Sequence, residues 1–158
     1  QLARPNEAGE RLTVSGSVLS TEGGIIKNAE LDFWQADAEG RYSSFNEGVP
    51  QYNLRGKIKS KNDGSFLLQT VKPAQYTIPD QGPTGILLKA IGRHSWRPAH
   101  LHVIVRHEDY QTLTTQIYFR GDEYLSTDAV RAANDDLAFP LSKNEEGSCV
   151  AFNLILRE

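Results

Sequence analysis

Methionine is absent from this 158-residue chain and cysteine occurs once, at Cys149. One thiol cannot close an intrachain disulfide, so a disulfide-built fold is excluded. The lone thiol does not fix the compartment; the cytoplasm is the first expectation and secretion the second. A chain without Met that starts at Gln1 is expected to have lost its native N-terminus. Long apolar runs are also missing: none approaches the ~18 residues that a membrane-spanning helix needs, and Gln1 to Glu10 lacks the charged-then-apolar pattern of a signal peptide. No membrane partner is expected. Basic charge is scarce as well, with 17 Lys and Arg against 20 Asp and Glu and a net charge of -3. No basic stripe is present, which excludes a nucleic-acid binder. Repeats, low-complexity tracts and linker-like composition shifts are absent too, so residues 1–158 are read as a single domain.

What the chain does contain is period-2 patterning. Leu12, Val14 and Val18 alternate with Thr13, Ser15 and Ser17, the signature of a half-buried strand. Glu30 to Ala36, Arg55 to Ser60, Gly64 to Thr70, His100 to Arg106, Thr112 to Phe119 and Cys149 to Leu156 read as further strands. Asn62-Asp63-Gly64 is a turn joining two of them. One short helix is expected, with Thr84 as its N-cap, Ile86, Leu87, Ala90 and Ile91 at helical spacing, and Gly92 just past its end. A second helical turn is expected near Thr127 to Asn134. The fold class is therefore all-β, an antiparallel β-sandwich with one or two short helices. Gly40 to Asn53 and Val71 to Pro83 are long connectors, the usual place for a site.

His100 and His102 stand at i and i+2 in a strand, so both rings leave one face with α-carbons about 6.6 Å apart, close enough to share a metal. His-x-His alone is not specific, since cupins and zinc hydratases use it. A cupin would place a Glu three or four residues after the second His, where Arg106 and His107 stand instead. No cysteine lies nearby for a structural zinc site. Any further ligands must come from the two long loops, which offer Tyr42, Tyr52 and Tyr76.

Four runs then carry a resemblance: Phe33-Trp-Gln-Ala-Asp-Ala-Glu-Gly-Arg-Tyr-Ser43, Gln75-Tyr-Thr-Ile-Pro79, Gly92-Arg-His-Ser-Trp-Arg-Pro-Ala-His-Leu-His102 and Leu113-Thr-Thr-Gln-Ile-Tyr-Phe-Arg-Gly-Asp122. In content and order they resemble the intradiol ring-cleavage dioxygenases. The resemblance implies a β-sandwich that holds non-haem Fe(III) through two tyrosinates and two histidines. By position, it implies that Tyr42 is the equatorial tyrosine, Tyr76 the axial tyrosine, and His100 and His102 the nitrogen ligands. Arg97 and Gln116 match the arginine and glutamine beside the substrate. The implied reaction cleaves a catechol-type ring between its hydroxyl-bearing carbons with O2, giving a muconate-type diacid. The chemistry is coherent on its own terms: a hard trivalent cation prefers anionic oxygen and can hold tyrosine deprotonated although a free phenol titrates near ~10. His94, His107 and Tyr52 match no family ligand, and Trp34 and Trp96 are expected to pack.

The chain also departs from the family. Catechol and hydroxyquinol members usually carry a helical N-terminal segment that makes the dimer, and a Gly-Pro-Phe/Tyr stretch before the first strand. Neither is present, so a catalytic domain cut from a longer protein or a compact relative is expected, with its oligomeric state open. Trp34 to Tyr42 resembles the protocatechuate enzymes, whereas the 24 residues from Tyr76 to His100 resemble the catechol and hydroxyquinol branch. The second is weighted more, because an insertion beside a pocket reshapes it. Two other readings stand beside this one: a non-enzymatic prealbumin-like binding sandwich, and a zinc hydrolase using His-x-His.

Overall fold

The computed structural model describes residues 1–158 and shows two five-stranded sheets facing each other. In chain order the strands are β1 (Arg11–Ser20), β2 (Glu30–Gln35), β3 (Arg55–Lys59), β4 (Ser65–Val71), β5 (Tyr76–Thr77), β6 (Trp96–Arg97), β7 (His100–His107) and β8 (Tyr110–Phe119). Four more close the chain: β9 (Ala138–Phe139), β10 (Ser142–Asn144), β11 (Gly147–Ala151) and β12 (Leu154–Leu156). One sheet runs β10-β11-β1-β12 with β4 on the other edge of β1, and the second runs β3-β2-β7-β8-β9. The expected sandwich is borne out. It is not wholly antiparallel, because β1 pairs in parallel with β11 and β12, and β8 with β9.

The alternation read from the sequence decides which face is core. Leu12, Val14 and Val18 of β1 and Phe66 and Leu68 of β4 face Leu31, Phe33, Leu101, Val103, Val105 and Ile117 from the second sheet in one buried cluster. Each such side chain contributes about 1.5–3 kcal/mol of burial. Phe33, Phe66 and Phe152 link the sheets ring to ring, with centroids 6.1 and 5.7 Å apart. The opposite face of the second sheet carries Asp32, Trp34, His100, His102, Gln116 and Tyr118, by the same period of two. That outer face is where the loops settle.

Three expectations need correction. Cys149 to Leu156 is two strands, not one: the chain breaks at Phe152 and Asn153, where it passes over Gly16. A Cβ on Gly16 would lie 1.7 Å from the Phe152 carbonyl oxygen, so the crossing requires glycine. The helix α1 (Pro83–Ala90) starts two residues earlier than expected, with Gly82 as N-cap, Pro83 at its first position and Thr84 inside. Its apolar stripe is not a core face, since Ile86, Leu87 and Ile91 are exposed while Gly85 and Leu88 are buried. Thr127 to Asn134 is not helical. The amides of Val130, Ala132 and Ala133 bond the Asp128 carboxylate instead of backbone carbonyls, and the only turn of helix there is a 3₁₀ segment at Asp135–Leu137.

Candidate metal centre

Sheet register assembles the site. His102 stands opposite Gln116, and His100 opposite Tyr118, across the β7–β8 pair, so two imidazoles, an amide and a phenol share the outer face. The short β5–β6 ribbon adds Tyr76 opposite Arg97. Pro98 and Ala99 then carry the chain from Arg97 straight into β7, which keeps the guanidinium and both imidazoles together.

Tyr42 comes from the connector between β2 and β3, which is shaped by one buried carboxylate. Asp37 accepts hydrogen bonds from the amides of Glu39 and Arg41, both at 2.9 Å, and from Arg41 Nε at 3.0 Å. Its backbone carbonyl also accepts from the Ala74 amide of the other long loop, at 3.0 Å. Gly40 sits where the loops touch, with φ +80°. A Cβ there would be 2.7 Å from the Gln75 carbonyl oxygen and 3.0 Å from Tyr76 Cβ. The glycine therefore sets how closely the two tyrosines approach. Their ring centroids are 5.1 Å apart, with Tyr42 6.2 Å from His102 and Tyr76 5.6 Å from His100.

All six residues singled out in the sequence, Tyr42, Tyr76, Arg97, His100, His102 and Gln116, thus fall in one cluster. Arg97 is its hub. Nη1 donates to Tyr76 Oη at 3.3 Å and lies 3.1 Å from His100 Nε2; Nη2 donates to Gln116 Oε1 at 2.9 Å and Tyr118 Oη at 3.1 Å. His94 and His107 stand outside the cluster, and Tyr52 is exposed. Trp96 stacks on Tyr124 at the surface, with centroids 5.3 Å apart.

Two contributors were not singled out from the sequence. Asp128, buried at 2 % exposure, accepts from Arg97 Nε at 3.0 Å and Nη2 at 3.2 Å. Tyr118, fully buried, donates to Gln116 Oε1 at 2.7 Å. No spacing signal marks Asp128, which lies 31 residues from Arg97. Tyr118 was within reach of parity, since it shares a strand face with Gln116.

The chemistry of the donors suits a metal. His100 Nδ1 lies 2.7 Å from the Pro98 carbonyl oxygen, an acceptor only, so Nδ1 carries the proton and Nε2 keeps its lone pair. His100 Nε2 and His102 Nε2 are 3.1 Å apart, aimed at common ground. Both imidazoles are neutral at pH 7. Burial, then the Arg97 charge, brings His100 down to about 4, and burial, then His100, brings His102 down to about 3. Tyr42 Oη is buried with no hydrogen-bond partner, a costly arrangement for a phenol unless an electrophile meets it. Burial first, and Tyr76 second, push its ionisation well above the ordinary phenol range, so only a strong local cation would make it a phenolate. Burial alone would lower Arg97, but Asp128 and Tyr76 outweigh it and hold the guanidinium charged.

No group of three or more His, Cys, Asp or Glu side chains gathers anywhere in the chain to hold a metal. A cation held by this cluster must therefore take tyrosine oxygen as well as imidazole nitrogen. That donor set fits a hard trivalent ion and lacks the third nitrogen or carboxylate of a hydrolytic zinc site.

A family model described as dioxygenase matches residues 1–158. Among curated proteins, the chain is 41% identical over 160 residues to a chlorocatechol 1,2-dioxygenase of Rhodococcus opacus, covering 98% of this chain and 62% of that protein. It is 42% identical to a hydroxyquinol 1,2-dioxygenase of a Rhizobium species, covering 87% of this chain and 47% of that one. Among solved structures, 3-chlorocatechol 1,2-dioxygenase from Rhodococcus opacus 1CP superposes with a TM-score of 0.91 at 40% identity, covering 99% of this chain and 63% of that chain. The chain thus spans less than two thirds of the length of these relatives.

Proposed function

This chain belongs to the intradiol ring-cleavage dioxygenase family, and we propose that it is the catalytic domain of an enzyme that opens a catechol-type ring between its two hydroxyl-bearing carbons. O2 is the co-substrate, both of its atoms enter the product, and the product is a muconate-type diacid. Tyr42, Tyr76, His100 and His102 would hold non-haem Fe(III). When bound, the ferric ion would keep tyrosine and catechol oxygens deprotonated and draw charge from the bound ring, which prepares it for O2.

The observation that carries this reading is the unpartnered, buried Tyr42 hydroxyl beside two neutral imidazoles whose Nε2 atoms converge. A non-catalytic binding sandwich gives no reason for that arrangement. In the proposed reaction Tyr76, as the phenolate, takes a proton at Oη from an incoming diol hydroxyl and becomes a phenol, with the Arg97 Nη1 bond holding that oxygen in reach of it. Arg97 stabilises negative charge that develops on the ring, and it arrives pre-oriented because Asp128 fixes Nε and Nη2. Gln116, tied by Tyr118, accepts from the same Nη2 and completes its hold. Uncarboxylated catechols are the proposed substrates. The names of the chlorocatechol and hydroxyquinol relatives support this, and a buried carboxylate without a cationic partner would be costly.

Purified protein reconstituted with ferric iron should become red to purple, consume one O2 per ring cleaved, and turn over catechol or hydroxyquinol with higher kcat/KM than protocatechuate. Arg97→Ala should keep iron and colour while kcat falls by roughly 10²-fold or more, the scale for removing one charge stabiliser. A protein that stays colourless and inactive after reconstitution would refute the reading.

A further inference from the structure

The two site imidazoles are fixed in different ways. His100 has the usual support of a metal-binding histidine, its Nδ1 bonded to a backbone carbonyl. His102 has no such bond; its one side-chain hydrogen-bond contact is with His100, through the Nε2 that faces the site. Tyr42 meets its ring edge-on, 6.2 Å away, and the face of the ring is taken by Trp34. The indole lies parallel to the His102 ring, 2° off, with centroids 4.7 Å apart.

Register explains the stack and extends it. Trp34 on β2 is the cross-strand partner of His102 on β7 and, on the other side, of Arg55 on β3. Neighbouring strands flank β2 left and right, so a ring whose one face meets His102 presents its other face to Arg55. The guanidinium lies 5.2 Å from the indole centroid on that side. Arg55 is in turn held by Asp32 at 2.8 Å, a buried carboxylate two residues before Trp34 and on the same sheet face. Arg55, Trp34 and His102 form one cross-strand row that ends at Gln116, and Asp32 braces Arg55 from the neighbouring row.

We infer that Trp34, backed by Arg55, is the positioning residue of His102, and that the stack replaces the missing Nδ1 hydrogen bond in aiming Nε2 into the site. The stack fixes the plane of the imidazole but leaves rotation within that plane to the convergence with His100. Arg55 keeps the indole from swinging away, and Asp32 keeps Arg55 over the ring in spite of its solvent exposure. The inference rests on the metal-site reading only where metal is measured.

The test uses Trp34→Leu, Trp34→Phe and Arg55→Leu in the full chain, each first checked for a cooperative unfolding transition. In the metal-free proteins, NMR of the His102 ring protons reads the stack directly. Trp34→Leu should abolish the upfield ring-current shift and Trp34→Phe should keep part of it. In the iron-loaded proteins, chelator competition and the visible band read the aim of Nε2. Trp34→Leu should weaken iron retention by roughly 10–100-fold, the scale for removing a support of a metal ligand, and shift the band. Trp34→Phe should restore most of both, and Arg55→Leu should fall between. An unchanged His102 signal in Trp34→Leu overturns the inference, as does iron retention and colour equal to the parent's. If the parent binds no iron the metal reading fails, while the ring-proton comparison still decides whether Trp34 orients His102.

Discussion

Asp128→Asn is a nearly isosteric change at the best-connected carboxylate of the protein, and the structure says what it removes. Oδ1 accepts from Arg97 Nε and the Val130 amide, while Oδ2 accepts from Arg97 Nη2 and the amides of Ala132 and Ala133. An amide keeps one of these oxygens and sets its NH2 against the donors of the other. Side-chain exposure is 1% for Asp128 and 6% for Arg97, so solvent cannot replace the lost partner. Breaking such a pair from one side costs about 3–5 kcal/mol, because a buried guanidinium is left uncompensated. For a domain of this size that lowers Tm by roughly 6–20 °C, at 2–4 °C per kcal/mol. Calorimetry at pH 7 measures it, and a loss below about 1 kcal/mol would refute the argument from burial.

Acid adds a second check on the same pair. Burial would raise Asp128, but the Arg97 hydrogen bonds and charge, with the Ala132 and Ala133 amides, outweigh it and hold the carboxyl below its ordinary range. A folded pKa below the unfolded one means that the unfolded chain binds more protons in that interval. The contribution is therefore complete above about 3.9, the ordinary aspartate value, and is lost as pH falls through the folded value. The acid limb of stability should be shallower in Asp128→Asn than in the parent. Pairing Asp128→Asn with Arg97→Leu should recover part of the stability with none of the activity, since no guanidinium is then stranded while the Asn oxygen still accepts from the loop amides.

Two further substitutions probe the loops. Tyr42→Phe removes a buried hydroxyl that lacks a partner, so metal-free protein should gain about 1–3 kcal/mol while iron retention and visible absorbance fall, opposite effects that calorimetry with and without iron separates. Tyr76→Phe should keep iron but form the anaerobic substrate complex slowly in stopped-flow mixing, and a parent-like rate would remove its proposed base role. Gly40→Ala combines a left-handed backbone with a Cβ 2.7 Å from the Gln75 carbonyl oxygen. It should cost at least about 1–2 kcal/mol and loosen iron by spreading the tyrosine loops, and unchanged Tm and retention would refute the loop contact.

What was readable in the sequence follows from what each signal encodes. Strand alternation reports burial, so Leu12, Val14, Val18, Leu31 and Phe33 announced the core and, by parity, the outer face that carries His100 and His102. The break at Phe152 was hidden because it depends on backbone passing over Gly16, a residue far away in sequence. Ile86, Leu87 and Ile91 show that helical spacing records a stripe and not what covers it. Asp128 escaped because its three amide partners mark only a turn, while the guanidinium that gives it a role lies 31 residues away. Trp34 was read only as a packing residue, and its partner emerges only from the β2–β7 register.

The pairing of β1 also sets an order of assembly during synthesis. One edge of β1 is completed by β4, soon after it emerges, whereas the other waits for Gly147–Leu156. The sheet bearing the imidazoles needs nothing later than Ala138–Phe139. On a nascent chain, then, the site-bearing half can pair while β1 still shows an open, alternating strand edge, the kind of template that recruits a foreign strand. The sandwich is sealed only when β11 and β12 arrive in parallel, and until that moment no strand of this chain occupies that edge of β1.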